Sequence, residues 1–152
     1  MVRHKYQHVK RGKRRIGERE FFFKSELEYH VALFLLATGY EFEYEPMEFR
    51  FPVERGVMFY RPDFQAWPKD RPKDYKWVEV KGYLDATSKT RLRRFAQYYP
   101  EEARRLVIVT DSKEAQTFVW EKINGDIAPF VEFWSARKVK RIAICLAGGV
   151  VA

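Results

Sequence analysis

The hydrophobic period of this chain changes within two residues. Leu27, Val31, Phe34 and Leu35 recur at i, i+4, i+7 and i+8, the stripe of a helix. After Thr38-Gly39, Tyr40, Phe42 and Tyr44 alternate strictly with Glu41, Glu43 and Glu45, which is the period of a half-buried strand. A chain that writes one helix and then one strand this plainly is neither all-α nor all-β, and the elements that follow keep mixing the two. Ser25-Glu26-Leu27-Glu28 gives the helix a capping box. Residues 47–51 alternate again, 52–56 read as a turn, and a third strand is expected over 57–64. Strands are also expected over 76–80 and 105–110. Between them, 67–74 holds a doubled Pro-Lys-Asp and reads as a turn-rich surface loop.

Leu92, Phe95 and Tyr99 keep helical spacing among Lys89, Arg91, Arg93 and Arg94, so 87–99 is expected to be a helix with a basic outer surface. A further helix is expected over 112–122, stopped by Asn124-Gly125. The order is helix, three strands as hairpins, strand, helix, strand, helix. That order predicts an α/β or α+β domain with a central mixed β-sheet flanked by helices. The apolar stretch 142–152, with Gly148-Gly149 inside it, fits a strand, a subunit contact or an unpacked tail.

A chain of 152 residues is one domain's worth, and 46% hydrophobic residues, 17% of the chain being aromatic, suffice for a core without staples. Cys145 is the one cysteine, which excludes an internal disulfide and a cysteine-based zinc set and suits a reducing compartment. The formal charge of +8 points to a polyanionic partner, nucleic acid first. Most of the excess lies in residues 1–20, where Arg3, Lys5, Lys10, Arg11, Lys13, Arg14, Arg15 and Arg19 face only Glu18 and Glu20. The division expected is a basic arm over 1–20, mobile until it meets phosphate, a folded domain over 21–135, and a basic then apolar tail over 136–152. Met1 to Glu20 lacks the apolar stretch of a signal peptide, and no apolar run approaches the ~20 residues of a membrane span, so a soluble cytoplasmic protein is expected.

The residues that carry chemistry are Pro62-Asp63 and, after 15 intervening residues, Glu79-Val80-Lys81. On a strand, Glu79 and Lys81 share a face while Val78 and Val80 point to the core, and Asp63 ends the preceding strand. If those strands pair, two carboxylates converge on one hard cation such as Mg²⁺, which prefers oxygen ligands. A lysine beside a metal-bound water orients or deprotonates it, or offsets charge on an attacked phosphate. Two rival Asp-x-Lys matches, at Asp74 and Asp111, sit in a loop and at a helix start, whereas Glu79-Val80-Lys81 closes a strand. Lys89, Arg91, Arg93 and Arg94 follow within about ten residues, where a DNA backbone would pass. His4, His8 and His30 show no metal-ligand spacing, and His30 reads as a helix-surface or boundary residue. No nucleophile elbow, phosphate loop or dinucleotide glycine pattern is present, so serine hydrolases and nucleotide cofactors are excluded.

In order and spacing, these residues resemble the PD-(D/E)xK nuclease superfamily, and more narrowly the phage endonuclease I type of Holliday-junction resolvase. The resemblance runs from about Ser25 to Thr110: Ser25-Glu26-Leu27-Glu28, Phe42-Glu43-Tyr44-Glu45, Tyr60-Arg61-Pro62-Asp63-Phe64, Val78-Glu79-Val80-Lys81-Gly82, a basic helix, and Arg105-Leu106-Val107-Ile108-Val109. It implies a restriction-endonuclease-like fold. Asp63, Glu79, Glu28 and the Val80 carbonyl would be metal ligands for Mg²⁺, with Mn²⁺ as a substitute. Lys81 would be the catalytic lysine, and the strand glutamate used by some members falls on Glu43. DNA contacts would fall on Arg11, Lys13, Arg14, Arg15, Lys89, Arg91, Arg93 and Arg94. The activity implied is paired, symmetric nicking of four-way DNA junctions by a homodimer whose protomers can exchange strands, in the host cytoplasm for a phage-encoded member. The arm before Ser25, the doubled Pro-Lys-Asp and everything after about Trp120 depart from the family pattern. Two other readings stay open: a nuclease of the same superfamily acting on duplex or branched DNA in restriction, nicking or repair, and a DNA-binding architectural protein that never cuts.

Overall fold

Alternate residues of the central strands go to opposite faces, and both faces are covered. The computed structural model describes residues 11–123 and 131–147. Its elements are β1 (Gly12–Ile16), β2 (Arg19–Phe23), α1 (Glu26–Ala37), β3 (Tyr40–Tyr44), β4 (Phe49–Arg50), β5 (Phe59–Tyr60), β6 (Phe64–Pro68), β7 (Lys76–Val80), α2 (Ala86–Tyr98), α3 (Pro100–Ala103), β8 (Leu106–Val109), α4 (Lys113–Lys122), β9 (Glu132–Trp134) and α5 (Ala136–Ala147). Five strands form one mixed sheet in the order β3-β6-β7-β8-β9. The first three neighbours are antiparallel and the last three parallel.

Val78, Val107 and Val109 pack with Phe42, Phe64 and Ala66 against Val31, Ala32 and Leu35 of α1 and Val139 of α5. Trp77, Leu106 and Ile108 point the other way, onto Leu92 and Phe95 of α2 and Ala115 and Val119 of α4. Each of the valine, leucine, isoleucine and phenylalanine side chains contributes about 1.5–3 kcal/mol when fully buried, and the alanines less. This is the mixed α+β architecture expected, with helices on both faces of a mixed sheet. Among the described residues no helix is long and apolar enough to cross a membrane.

The structure corrects the strand order. Residues 40–60 do not form successive hairpins in the main sheet: β3 pairs with β6, while β4 and β5 pair with each other in a small separate ribbon. Pro62, which lacks the N–H a ladder needs, separates β5 from β6, so the expected single strand over 57–64 is two. Trp67 and Pro68 belong to β6 rather than to the loop. Within the tail, 136–147 is helix α5, packed on α1. The arm is shorter than its charge suggests, since residues 12–23 are a β-hairpin in register from Gly12↔Phe23 to Ile16↔Arg19. Gly17 takes φ +60 at its turn, the left-handed region a two-residue turn needs at its first central position. Phe23 anchors the hairpin, fully buried beside Phe64. Residues 1–10, with His4 and His8, and 124–130 and 148–152, with Asn124-Gly125 and Gly148-Gly149, lie outside the described residues.

Candidate active site

Antiparallel register Phe64↔Val78 carries Asp63, the residue before β6, to the end of β7. There its Oδ2 accepts a 2.7 Å hydrogen bond from the Val80 backbone N–H, and its own carbonyl accepts from Glu45 N at 2.8 Å. Val80, read from the sequence as a ligand through its carbonyl, thus holds Asp63 through its amide. Glu79 faces the α2 side with Trp77. A strand inside a sheet covered on both faces has no solvent side, so Glu79 is only 5% exposed instead of lying on an open face. Its Oε2 accepts from the Tyr60 hydroxyl at 2.7 Å, and its Oε1 lies 3.4 Å from Lys81 Nζ. Asp63, Glu79 and Lys81 are therefore brought together.

Glu28 comes to the same place from the first turn of α1. Ser25 Oγ accepts from Glu28 N at 3.1 Å, as an N-cap should. The Glu28 carboxylate, however, does not close the capping box onto the Ser25 amide. It accepts from the Tyr44 hydroxyl at 2.5 Å and from Lys24 N at 3.0 Å. Lys24 Nζ lies 2.8 Å from Glu45 Oε1 and 3.5 Å from Asp63 Oδ1. Strict alternation puts Glu45 on the outer face with Glu41 and Glu43, but Glu45 adopts φ +47 and its half-buried carboxylate turns back toward Lys24.

Burial pushes the Glu79 carboxyl up to about 8, with the Asp63 charge adding to it and Lys81 and Tyr60 opposing it. Burial likewise raises Asp63, against the pull of Lys24, the Val80 N–H and Lys81. Glu28 is raised by burial and then by Asp63. Burial alone would lower Lys24, but Asp63, Glu45 and Glu28 hold its ammonium well above the ordinary lysine range. The donor set is hard oxygen, buried and mutually repulsive, which suits a hard divalent cation. Among the described residues no three His, Cys, Asp or Glu side chains converge as a ready metal cluster, and these carboxylates are engaged by Tyr60, Tyr44, Lys24 and Lys81 instead.

Two openings reach the group. A cleft of about 170 Å³ is lined by Tyr60, Asp63, Glu79, Lys81, Ser88 and Arg91. A wider groove of about 650 Å³ shares Lys24, Asp63 and Lys81 and adds Glu28 and Arg11.

The remaining candidates divide. Glu43 is exposed, pairs with Arg19 at 3.1 Å and does not join the site. Arg94 donates to the carbonyls of Val57 and Arg55, so it ties α2 to the loop before β5. Lys89 pairs with Glu114 at 3.3 Å and lies over the Phe118 ring. Arg93 and Arg15 are exposed, Lys13 pairs with Glu20, and Arg14 lies over the Tyr29 ring. His30, expected at the helix surface or the edge of the core, is buried on α1 where α5 packs, and its Nδ1 has no hydrogen-bond partner. Sequence reasoning missed Lys24, Tyr44, Glu45 and Tyr60, whose partners are distant in the chain. It also assigned no binding role to Arg137, Lys138, Lys140 and Arg141, exposed on a helix without an acidic residue.

No family model, no curated protein and no solved structure matches this chain.

Proposed function

We propose that this protein is a Mg²⁺-dependent, structure-selective DNA endonuclease of the PD-(D/E)xK type, with a restriction-endonuclease-like fold, acting on four-way junctions. The observation that carries the reading is the hydrogen bond from Val80 N to Asp63 Oδ2, which holds Asp63 beside the strand end that bears Glu79 and Lys81. Asp63, Glu79 and Glu28, with the Val80 carbonyl, would hold Mg²⁺, or Mn²⁺ in its place. The bound ion would offset charge developing on the phosphate and lower the pKa of water.

The chain's own groups do the rest. Lys81, held 3.4 Å from Glu79 and only part-exposed, keeps its ammonium beside the position of the scissile phosphate and orients the attacking water there. An O–P bond forms from that water as it gives up a proton to solvent, the P–O3′ bond breaks in line, and the departing 3′ oxygen takes a proton from solvent. The products are 5′-phosphate and 3′-hydroxyl ends. Arg91, lining the cleft, and the basic residues of β1 and α5 supply backbone-phosphate contacts without reading bases. Paired cuts on a symmetric junction call for a twofold homodimer with two sites.

The test uses an end-labelled synthetic four-way junction and matched linear duplex, with Mg²⁺ or EDTA, and wild type beside Asp63→Asn and Lys81→Ala. Metal-dependent nicks on opposing junction strands, lost in both variants while binding persists, are expected. Equal cutting of the duplex would keep a nuclease and discard the junction. Tight binding with no cut would move the protein to the architectural class.

A further inference from the structure

Lys24 touches the acidic group from both ends. Its amide donates to Glu28 Oε2, and its ammonium lies 2.8 Å from Glu45 Oε1 and 3.5 Å from Asp63 Oδ1. The ammonium is therefore a cation already seated between carboxylates from two separate places in the fold, the end of β3 and the start of β6, while the amide of the same residue holds the α1 carboxylate. Glu45 is turned toward it by a left-handed backbone, a conformation that a non-glycine residue adopts only at a cost and that recurs where a side chain must be aimed. The bond from Glu45 N to the Asp63 carbonyl holds that conformation in place.

We infer that Lys24 is a built-in counter-ion that fills one cation position on the Asp63–Glu45 side of the site. The chain then takes a divalent ion only on the Asp63–Glu79 side. The inference deepens the metal-dependent reading proposed above and rests on it for the second part alone. Lys24 acts through the carboxylates, so it is a positioning residue that sets how many ions the site admits.

The experiment counts Mn²⁺ bound per chain, by electron paramagnetic resonance and by calorimetry, in the wild-type chain, Lys24→Ala, Lys24→Arg, and Lys24→Ala combined with Asp63→Asn. Lys24→Ala is expected to bind one more Mn²⁺ than wild type, Lys24→Arg the same number as wild type, and the double variant to lose the extra ion. In EDTA, Lys24→Ala is expected to melt below wild type and to recover on adding Mn²⁺. The Lys24 side chain is about half exposed, so the substitution leaves the core intact, and Lys24→Gln serves if Lys24→Ala does not fold. An unchanged Mn²⁺ count in a folded Lys24→Ala or Lys24→Gln chain overturns the inference. A wild-type chain that binds no Mn²⁺ and cuts no DNA overturns the nuclease reading instead, and a gain in Lys24→Ala would still support the counter-ion.

Discussion

The Tyr60 hydroxyl donates to Glu79 Oε2 at 2.7 Å, and both residues are buried. Tyr60→Phe therefore leaves a carboxyl oxygen out of water with one fewer partner. The expected cost is about 1–3 kcal/mol of stability. It should be larger where Glu79 is charged than where it is protonated, since a hydrogen bond to an ionised acceptor is the stronger one. Urea denaturation in EDTA at about pH 6 and about pH 9 measures this. An equal loss at both would mean that Tyr60 contributes packing alone.

Burial pushes the Glu79 carboxyl up to about 8 in the folded chain, against an ordinary glutamate value of 4.5. Between those values the folded state holds a proton the unfolded state has lost, so this group's contribution to stability falls as pH rises through the window. Asp63 and Glu28 are raised too and act in the same direction. His30 acts oppositely: burial lowers it below 6.5, so its contribution is lost as pH falls through the folded value and is complete above about 6.5. Above that point the raised carboxylates carry the decline, and the buried tyrosines, also raised, act in the same direction. The metal-free protein should melt lower at about pH 9 than at about pH 6.5, and Glu79→Gln should flatten the decline. Mg²⁺ should raise the melting temperature more at the higher pH, where it no longer competes with the proton. A flat wild-type profile in EDTA would contradict this account.

Local features were legible in the sequence. The Ser25 cap, the alternation of β3 and the Val-rich strands β7 and β8 rest on neighbours within a few residues, and the structure has each where the periodicity puts it. The acid pair with Lys81 was legible as well, because a strand fixes the common face of Glu79 and Lys81 whatever the rest of the fold does. What escaped was non-local or broke a local rule. Tyr60 meets Glu79 across 19 residues and Lys24 meets Asp63 across 39, separations that no spacing rule reaches. Glu45 escaped because one left-handed residue overrides the alternation. The β1–β2 hairpin escaped because β1 is mostly cationic, and its β signal lies in the Phe21-Phe22-Phe23 run of its partner.

Arg91 and Arg94 sit three residues apart on one basic helix yet should behave differently. Arg94 donates to two backbone carbonyls of the loop before β5, whereas Arg91 lines the cleft beside Asp63 and Glu79. Arg94→Ala should cost about 1–2 kcal/mol of stability, from lost hydrogen bonds to carbonyls left partly buried, and leave the salt dependence of DNA binding unchanged. Arg91→Ala should leave stability within about 0.5 kcal/mol. It should reduce the slope of log K against log salt by about 0.9, the share of one phosphate contact. Salt titrations of junction binding beside thermal melts separate the two, and a slope change for Arg94→Ala but not Arg91→Ala would reverse the assignment.

Ser25 and Glu28 decide whether the start of α1 serves the helix or the site. The cap bond runs from Glu28 N to Ser25 Oγ, while the Glu28 carboxylate is spent on Tyr44 and Lys24. Removing the cap with Ser25→Ala should therefore cost about 1 kcal/mol of stability, and cleavage per folded molecule should hardly change. Glu28→Gln keeps the backbone cap and an acceptor oxygen for Tyr44, and it removes a charge whose pKa burial and Asp63 already raise. It should stabilise the metal-free chain slightly at neutral pH or above, by relieving repulsion with Asp63. It should also weaken Mn²⁺ binding and slow cleavage by at least tenfold, the equivalent of about 1.4 kcal/mol of transition-state stabilisation. Melting curves in EDTA, Mn²⁺ titrations and single-turnover cleavage on the two variants test the division. If Ser25→Ala abolished cleavage while Glu28→Gln left it intact, Glu28 would belong to the helix alone.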